Sequence, residues 1–106
     1  MRAEVVATDE ERRRGLSGRD SLAADGGMLF TFPEAGRHGF WMQGMRFPLD
    51  FIYIRDLSVV AIIERVPVPD TVPLPFAPDE PFDAVLEVNA GWVHARGVRV
   101  GDQVAY

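Results

Sequence analysis

Apolar and polar positions alternate most clearly from Leu49 to Ile54. Leu49, Phe51 and Tyr53 point one way and Asp50, Ile52 and Ile54 the other, the period of a strand. Val59 to Val66, rich in β-branched residues, returns after the turn Arg55-Asp56-Leu57-Ser58 and predicts an antiparallel hairpin. Met28 to Phe32 has large apolar residues on both faces and reads as a buried strand. Pro33 to Gly39 reads as a turn, and Phe40 to Met42 begins the next strand. Asp83 to Val88 sets Ala84, Leu86 and Val88 against Val85 and Glu87. Ala3 to Ala7 reads as an edge strand, and Val98 to Tyr106 as a turn leading into a last short strand.

Helical signals are few and short. Thr8-Asp9-Glu10-Glu11 fits a capping box, with acids in the first turn and Arg12 to Arg14 in the last, before Gly15. Asp20 to Asp25 is expected to form one more turn, and Asn89 to cap a helix over 90–95 that ends at Gly97. Pro67 to Pro81 holds six of the eight prolines, which excludes a central strand and predicts an extended loop suited to wrapping an edge or docking a partner. Together these elements predict a mainly β fold: a small antiparallel β-barrel or sandwich of about six strands with two short helices.

Composition narrows the classes. A chain of 106 residues has room for a single domain spanning 1–106. Its net charge of −5 argues against a nucleic-acid partner, and every basic residue is Arg. Without Cys there is no disulfide, thiolate metal site or cysteine nucleophile. No apolar run reaches the roughly eighteen residues of a membrane span, so the chain as given is expected to be soluble, without signal or anchor.

Chemistry is expected where polar residues interrupt the apolar pattern. Asp50 and Glu87 each stand inside an apolar strand, and a buried carboxylate has to be paired, hydrogen-bonded or protonated. Backbone N–H groups, Arg19 or Arg46 are the expected partners; two acids facing one cleft would instead suit hydrolase or lyase chemistry. Trp41, Met42 and Met45 with Trp92 offer an aromatic and thioether surface, beside which Gln43 and Arg46 keep a ligand pocket in view. His38 and His94 lie at no metal-ligand spacing, so no metal or cofactor is expected. The candidate ligand-binding residues are Arg19, Trp41, Met42, Gln43, Arg46, Asp50 and Glu87.

Six blocks carry a family resemblance. In order they are Gly15-Leu16-x-x-Arg19, Gly27-Met28-Leu29-Phe30-x-Phe32, Phe40-Trp41-Met42, Pro48-Leu49-Asp50, Val85-Leu86-Glu87-Val88 with Ala90-Gly91, and Gly101-Asp102-x-Val104. As a string they resemble the domain-of-unknown-function family 192 (DUF192, UPF0127). The resemblance implies a compact, mainly β domain with no agreed catalytic set. It also implies relatives that are exported or envelope-associated, with an N-terminal signal. Where the family often has Leu-Met after its first Gly and Lys after Trp-Met, this chain has Ser17 and Gln43. Three functions follow as expectations: a small binding module for a polar ligand, sugar or peptide; an envelope interaction domain using the 67–81 loop; or a hydrolase or lyase built on Asp50 and Glu87.

Overall fold

The computed structural model describes residues 2–36, 38, 40–41, 45–68, 75–76 and 78–105, with 40–41 and 75–76 described by their backbone. The strands are β1 (Arg2–Val6), β2 (Gly26–Gly36), β3 (Phe40–Trp41), β4 (Leu49–Arg55), β5 (Ser58–Val66), β6 (Pro75–Phe76) and β7 (Phe82–Asn89). The helices are α1 (Asp9–Arg14) and α2 (Trp92–Arg96). Five strands form one sheet in the order β1-β2-β7-β4-β5, and β3 pairs with β6 in a separate ladder. Mainly β with two short helices holds. Two details are corrected: the sheet is open rather than closed into a barrel, and β1 runs parallel to β2. The parallel pair arises because α1 and the loop after it carry the chain back to the sheet's starting end, which a tight hairpin cannot do.

β4 lies inside the sheet between β7 and β5, and six of its seven residues are buried, on both faces. The first face gathers Val6, Met28, Phe30, Phe51, Tyr53 and Val85 with Leu16 and Met45 from the covering loops. The second gathers Leu29, Ile52, Ile54, Ala84 and Val88 with Val93 of α2. Each such side chain contributes about 1.5–3 kcal/mol on burial, and the two filled faces together hold the sheet. The β4–β5 turn is a two-residue one, with Asp56 and Leu57 both at positive φ, the twist that hairpins favour.

The capping box forms as expected: the Glu11 N–H donates to the Thr8 hydroxyl, and the Glu11 carboxylate accepts from the Thr8 backbone. The Thr8 hydroxyl, with the backbone N–H groups of Ala7 and Thr8, donates to that carboxylate and holds it below its ordinary range. Asp20 to Asp25 is not helical, and Pro33 to Gly36 continues β2 rather than turning. The last segment contributes a single bridge, Gln103 to Ser58, instead of a strand.

Gly27 marks a close approach of β2 to β7. A Cβ placed there would stand 3.0 Å from the Glu87 carbonyl oxygen, with Leu86 and Val88 side chains at 3.2 Å. Gly27→Ala is therefore expected to lower stability by roughly 1–3 kcal/mol in urea unfolding. An unchanged midpoint would show that β7 can yield.

Candidate functional site

The two buried acids lie in adjacent rows of the sheet but on opposite faces. Asp50 pairs with Val88 and Phe51 with Glu87, and successive residues of a strand alternate. Asp50 therefore joins the second face and Glu87 the first. This corrects the paired acid/base expectation: the sheet itself separates the two carboxyls, and they share no cleft.

Asp50 has no exposed surface, and three backbone N–H groups donate to it. Arg65 N–H reaches Oδ1 at 2.8 Å, while Gly91 and Val93 N–H reach Oδ2 at 3.1 and 3.0 Å. The first donor exists because β5 bulges here. Leu49 pairs with Val66 and Phe51 with Ile63, so two β5 residues oppose the single Asp50. Arg65, at φ 55°, aims its N–H inward from that bulge. The other two donors belong to the start of α2, whose cap residue Gly91 (φ 94°) offers no side chain. Asp50 thus caps α2 from a neighbouring strand. Of the partners expected for it, backbone N–H groups are the ones found; Arg19 and Arg46 lie elsewhere. Asn89, expected to cap this helix, donates instead to the carbonyls of Leu22 and Ala23.

Glu87 is 4% exposed. It stands in a row that runs Glu4, Met28, Glu87, Phe51 across β1, β2, β7 and β4. Among the described residues no hydrogen bond or ion pair reaches its carboxyl, and burial pushes its pKa up to about 8. Tyr53, on the same face, has its phenol raised above the ordinary range, by burial first and by the Glu87 charge second.

Arg19 serves this same face. Its two terminal nitrogens donate to the two carboxylate oxygens of Glu4, each at 2.8 Å, and these bonds hold the Glu4 carboxyl below its usual range. Asp20, the next residue, accepts from Arg46 at 2.6 Å, so Arg46 is tied to the loop that carries Arg19. Beside this loop and β1 lies an open cleft of about 510 Å³, lined by Arg2, Glu4, Arg19, Leu22, Asp25 and the backbone of Gly27. Leu22 also packs on the first-face cluster, so the cleft opens on the face that buries Glu87.

The structure therefore brings Arg19, Arg46 and Glu87 to one face and sets Asp50 on the other. Trp41 is described by its backbone, which pairs with Pro75, while Met42 and Gln43 lie outside the described residues. So do 69–74 and 77 of the proline-rich segment proposed for docking. Met45 is core. Trp92 packs on the second face under the Arg96 guanidinium, 4.9 Å from its ring. His38 stacks on Phe32 at 3.9 Å and meets the edge of Phe82. Arg2, Leu22 and Asp25 were not among the sequence candidates. Nothing in their local pattern marks them, because the cleft forms only where β1 meets the loop before β2. No cluster of described residues could hold a metal ion, and no described helix is long and apolar enough to cross a membrane.

The DUF192 family model, described as "Uncharacterized ACR", matches residues 1–106. The chain belongs to the DUF192 family. Two crystal structures resemble it closely. One is of a Sinorhizobium meliloti 1021 protein described as a candidate transcription regulator. It is 36% identical, with a TM-score of 0.87 over 95% of this chain and 78% of that one. The other, from Novosphingobium aromaticivorans DSM 12444, is a protein of unknown function. It is 33% identical, with a TM-score of 0.88 over 98% of this chain and 74% of that one. No curated protein matches the chain. Neither the DUF192 family nor these two relatives brings an established activity to these residues.

Proposed function

We propose that residues 1–106 form one non-catalytic binding domain that takes a small polar ligand in the cleft beside β1. The observation that carries this reading is Arg19, fixed at the cleft wall by two 2.8 Å bonds to Glu4. A guanidinium has five N–H donors, so one held this way keeps three for a ligand and loses little freedom on binding. Arg2 and Arg19 are balanced by Glu4 and Asp25, and Leu22 with Ala3 and Ala23 supplies apolar wall. Such a lining favours a neutral or zwitterionic molecule with both donors and acceptors, such as a sugar, an amino acid or a peptide end. The description of the Sinorhizobium relative would suggest DNA as the ligand, but the net charge of −5 on this chain repels a phosphate backbone.

Titration calorimetry with panels of monosaccharides, free amino acids and short peptides tests the reading. At least one class is expected to bind, and Arg19→Ala to weaken it about tenfold or more, or ~1.4 kcal/mol. Arg19 is partly exposed, so its loss is expected to change the fold's stability little. Silence from all three classes, or binding that ignores Arg19→Ala, would refute the cleft as the site.

A further inference from the structure

The two outer edges of the five-stranded sheet are finished differently. The start of the β5 edge is closed by the C-terminal segment. Val59 N–H donates to the Asp102 carbonyl at 2.9 Å, Gly101 N–H to that of Val59 at 2.8 Å, and Val104 N–H to that of Leu57 at 2.7 Å. The β1 edge has no such cover among the described residues. Arg2, Glu4 and Val6 turn their backbone groups towards β2, as the 2.9 Å bond from Arg2 N–H to the Asp25 carbonyl shows. The parallel pattern then turns the N–H and C=O of Ala3 and Val5 outward. Val5 is also the second most exposed large hydrophobic among the described residues, at 62%. An open row of backbone donors and acceptors is a template for another strand.

We propose that this edge pairs antiparallel with the same edge of a second copy of the chain, about a two-fold axis between the two Ala3 residues. Charge selects both partner and register. With Ala3 opposite Ala3, the two residues exchange both backbone bonds, and Arg2 of each copy stands opposite Glu4 of the other. Centring on Glu4 would set two carboxylates against each other, and centring on Val5 would put Glu4 opposite Val6. Glu4 can serve both arginines, since an ionised carboxylate offers about four acceptor sites and Arg19 fills two of them. Ala3, small and at the axis, lets the strands close without repacking. Arg2, Ala3 and Glu4 of each β1 oppose one another across the axis, a short interface below the ~1,200 Å² of standard complexes, so the dimer is weak, with a dissociation constant on the order of 0.1 mM.

The chain has no Cys, so a single introduced one reports the contact. In this register the two copies of residue 3 lie about 5.5 Å apart at Cα, within disulfide reach; those of residue 5 lie roughly 14 Å apart, beyond it. Under mild oxidation at about 0.5 mM, Ala3→Cys is expected to crosslink at least ~10-fold faster than Val5→Cys. Sedimentation equilibrium of the unaltered chain is expected to show the mass rising from 11.8 kDa towards twice that value as concentration increases. Arg2→Glu, which opposes like charges, is expected to hold it at the monomer. Arg19→Ala, which tests the cleft, leaves the Ala3→Cys crosslink in place. Val5→Cys crosslinking as fast as Ala3→Cys overturns the register. A mass of 11.8 kDa at every concentration up to about 1 mM would overturn the proposal.

Discussion

Asp50→Ala is expected to lower the unfolding free energy by about 3–5 kcal/mol, the largest effect of any single substitution considered. The carboxylate accepts three backbone N–H groups, and the substitution orphans all of them in a site without exposed surface. An unsatisfied buried donor costs about 1–3 kcal/mol, and part of that is recovered where the chain can relax towards water. The start of α2, beside solvent-facing residues, can relax; the β5 bulge at Arg65 has less room. Asp50→Asn keeps the shape but turns an NH₂ group towards donors, so an intermediate loss is expected. Urea unfolding followed by far-ultraviolet circular dichroism measures both. A loss below about 1 kcal/mol for Asp50→Ala would mean that the three donors are not held by this side chain.

Stability is expected to fall as pH rises from 4.5 to 8, and Glu87→Gln to abolish most of that fall. Burial raises the native Glu87 pKa to about 8 from its ordinary 4.5. Between those values the unfolded chain has released the proton and the native chain still holds it, so each unit of pH favours unfolding. The contribution is fully present below 4.5 and lost once pH passes 8. At 1.36 kcal/mol per unit the loss is on the order of 5 kcal/mol across the window, a large share of a small domain's stability. Glu4 and Glu11, whose pKa values are lowered, act with the opposite sign: the stability they add is fully present above 4.5 and is lost only as pH falls below it, outside this window. Urea midpoints from pH 5 to 9 for both proteins test this. Parallel curves would show that Glu87 does not carry the proton.

Much of the fold was legible because it is written locally. The capping box of α1 needs only Thr8 and Glu11 at the right spacing, and the two formed the reciprocal bonds expected. The faces within β4 and within β7 followed from alternation, but that Asp50 and Glu87 take opposite faces was decided by the register between the two strands. The parallel placement of β1 was not legible, since no local signal says which strand a short edge will join or in which direction. Asn89 misled for a related reason. It has the chemistry of a helix cap, but its amide was claimed by the Leu22 and Ala23 carbonyls, far away in sequence.

The candidate site divides the same way. Period and composition were enough to single out Asp50 and Glu87, because an acid in an apolar strand is conspicuous at short range. Their roles depended on what stands around them once the chain is folded. A bulge and a glycine-started helix converge on Asp50 and make it a cap, while apolar rows close over Glu87 and leave it protonated at neutral pH. Arg19 gained its meaning from Glu4, fifteen residues earlier, and the cleft from the meeting of β1 with the loop before β2. Residue types and their spacing set which groups have to find partners. Which partners they find is settled by strand order and register, and those come from packing the whole sheet at once.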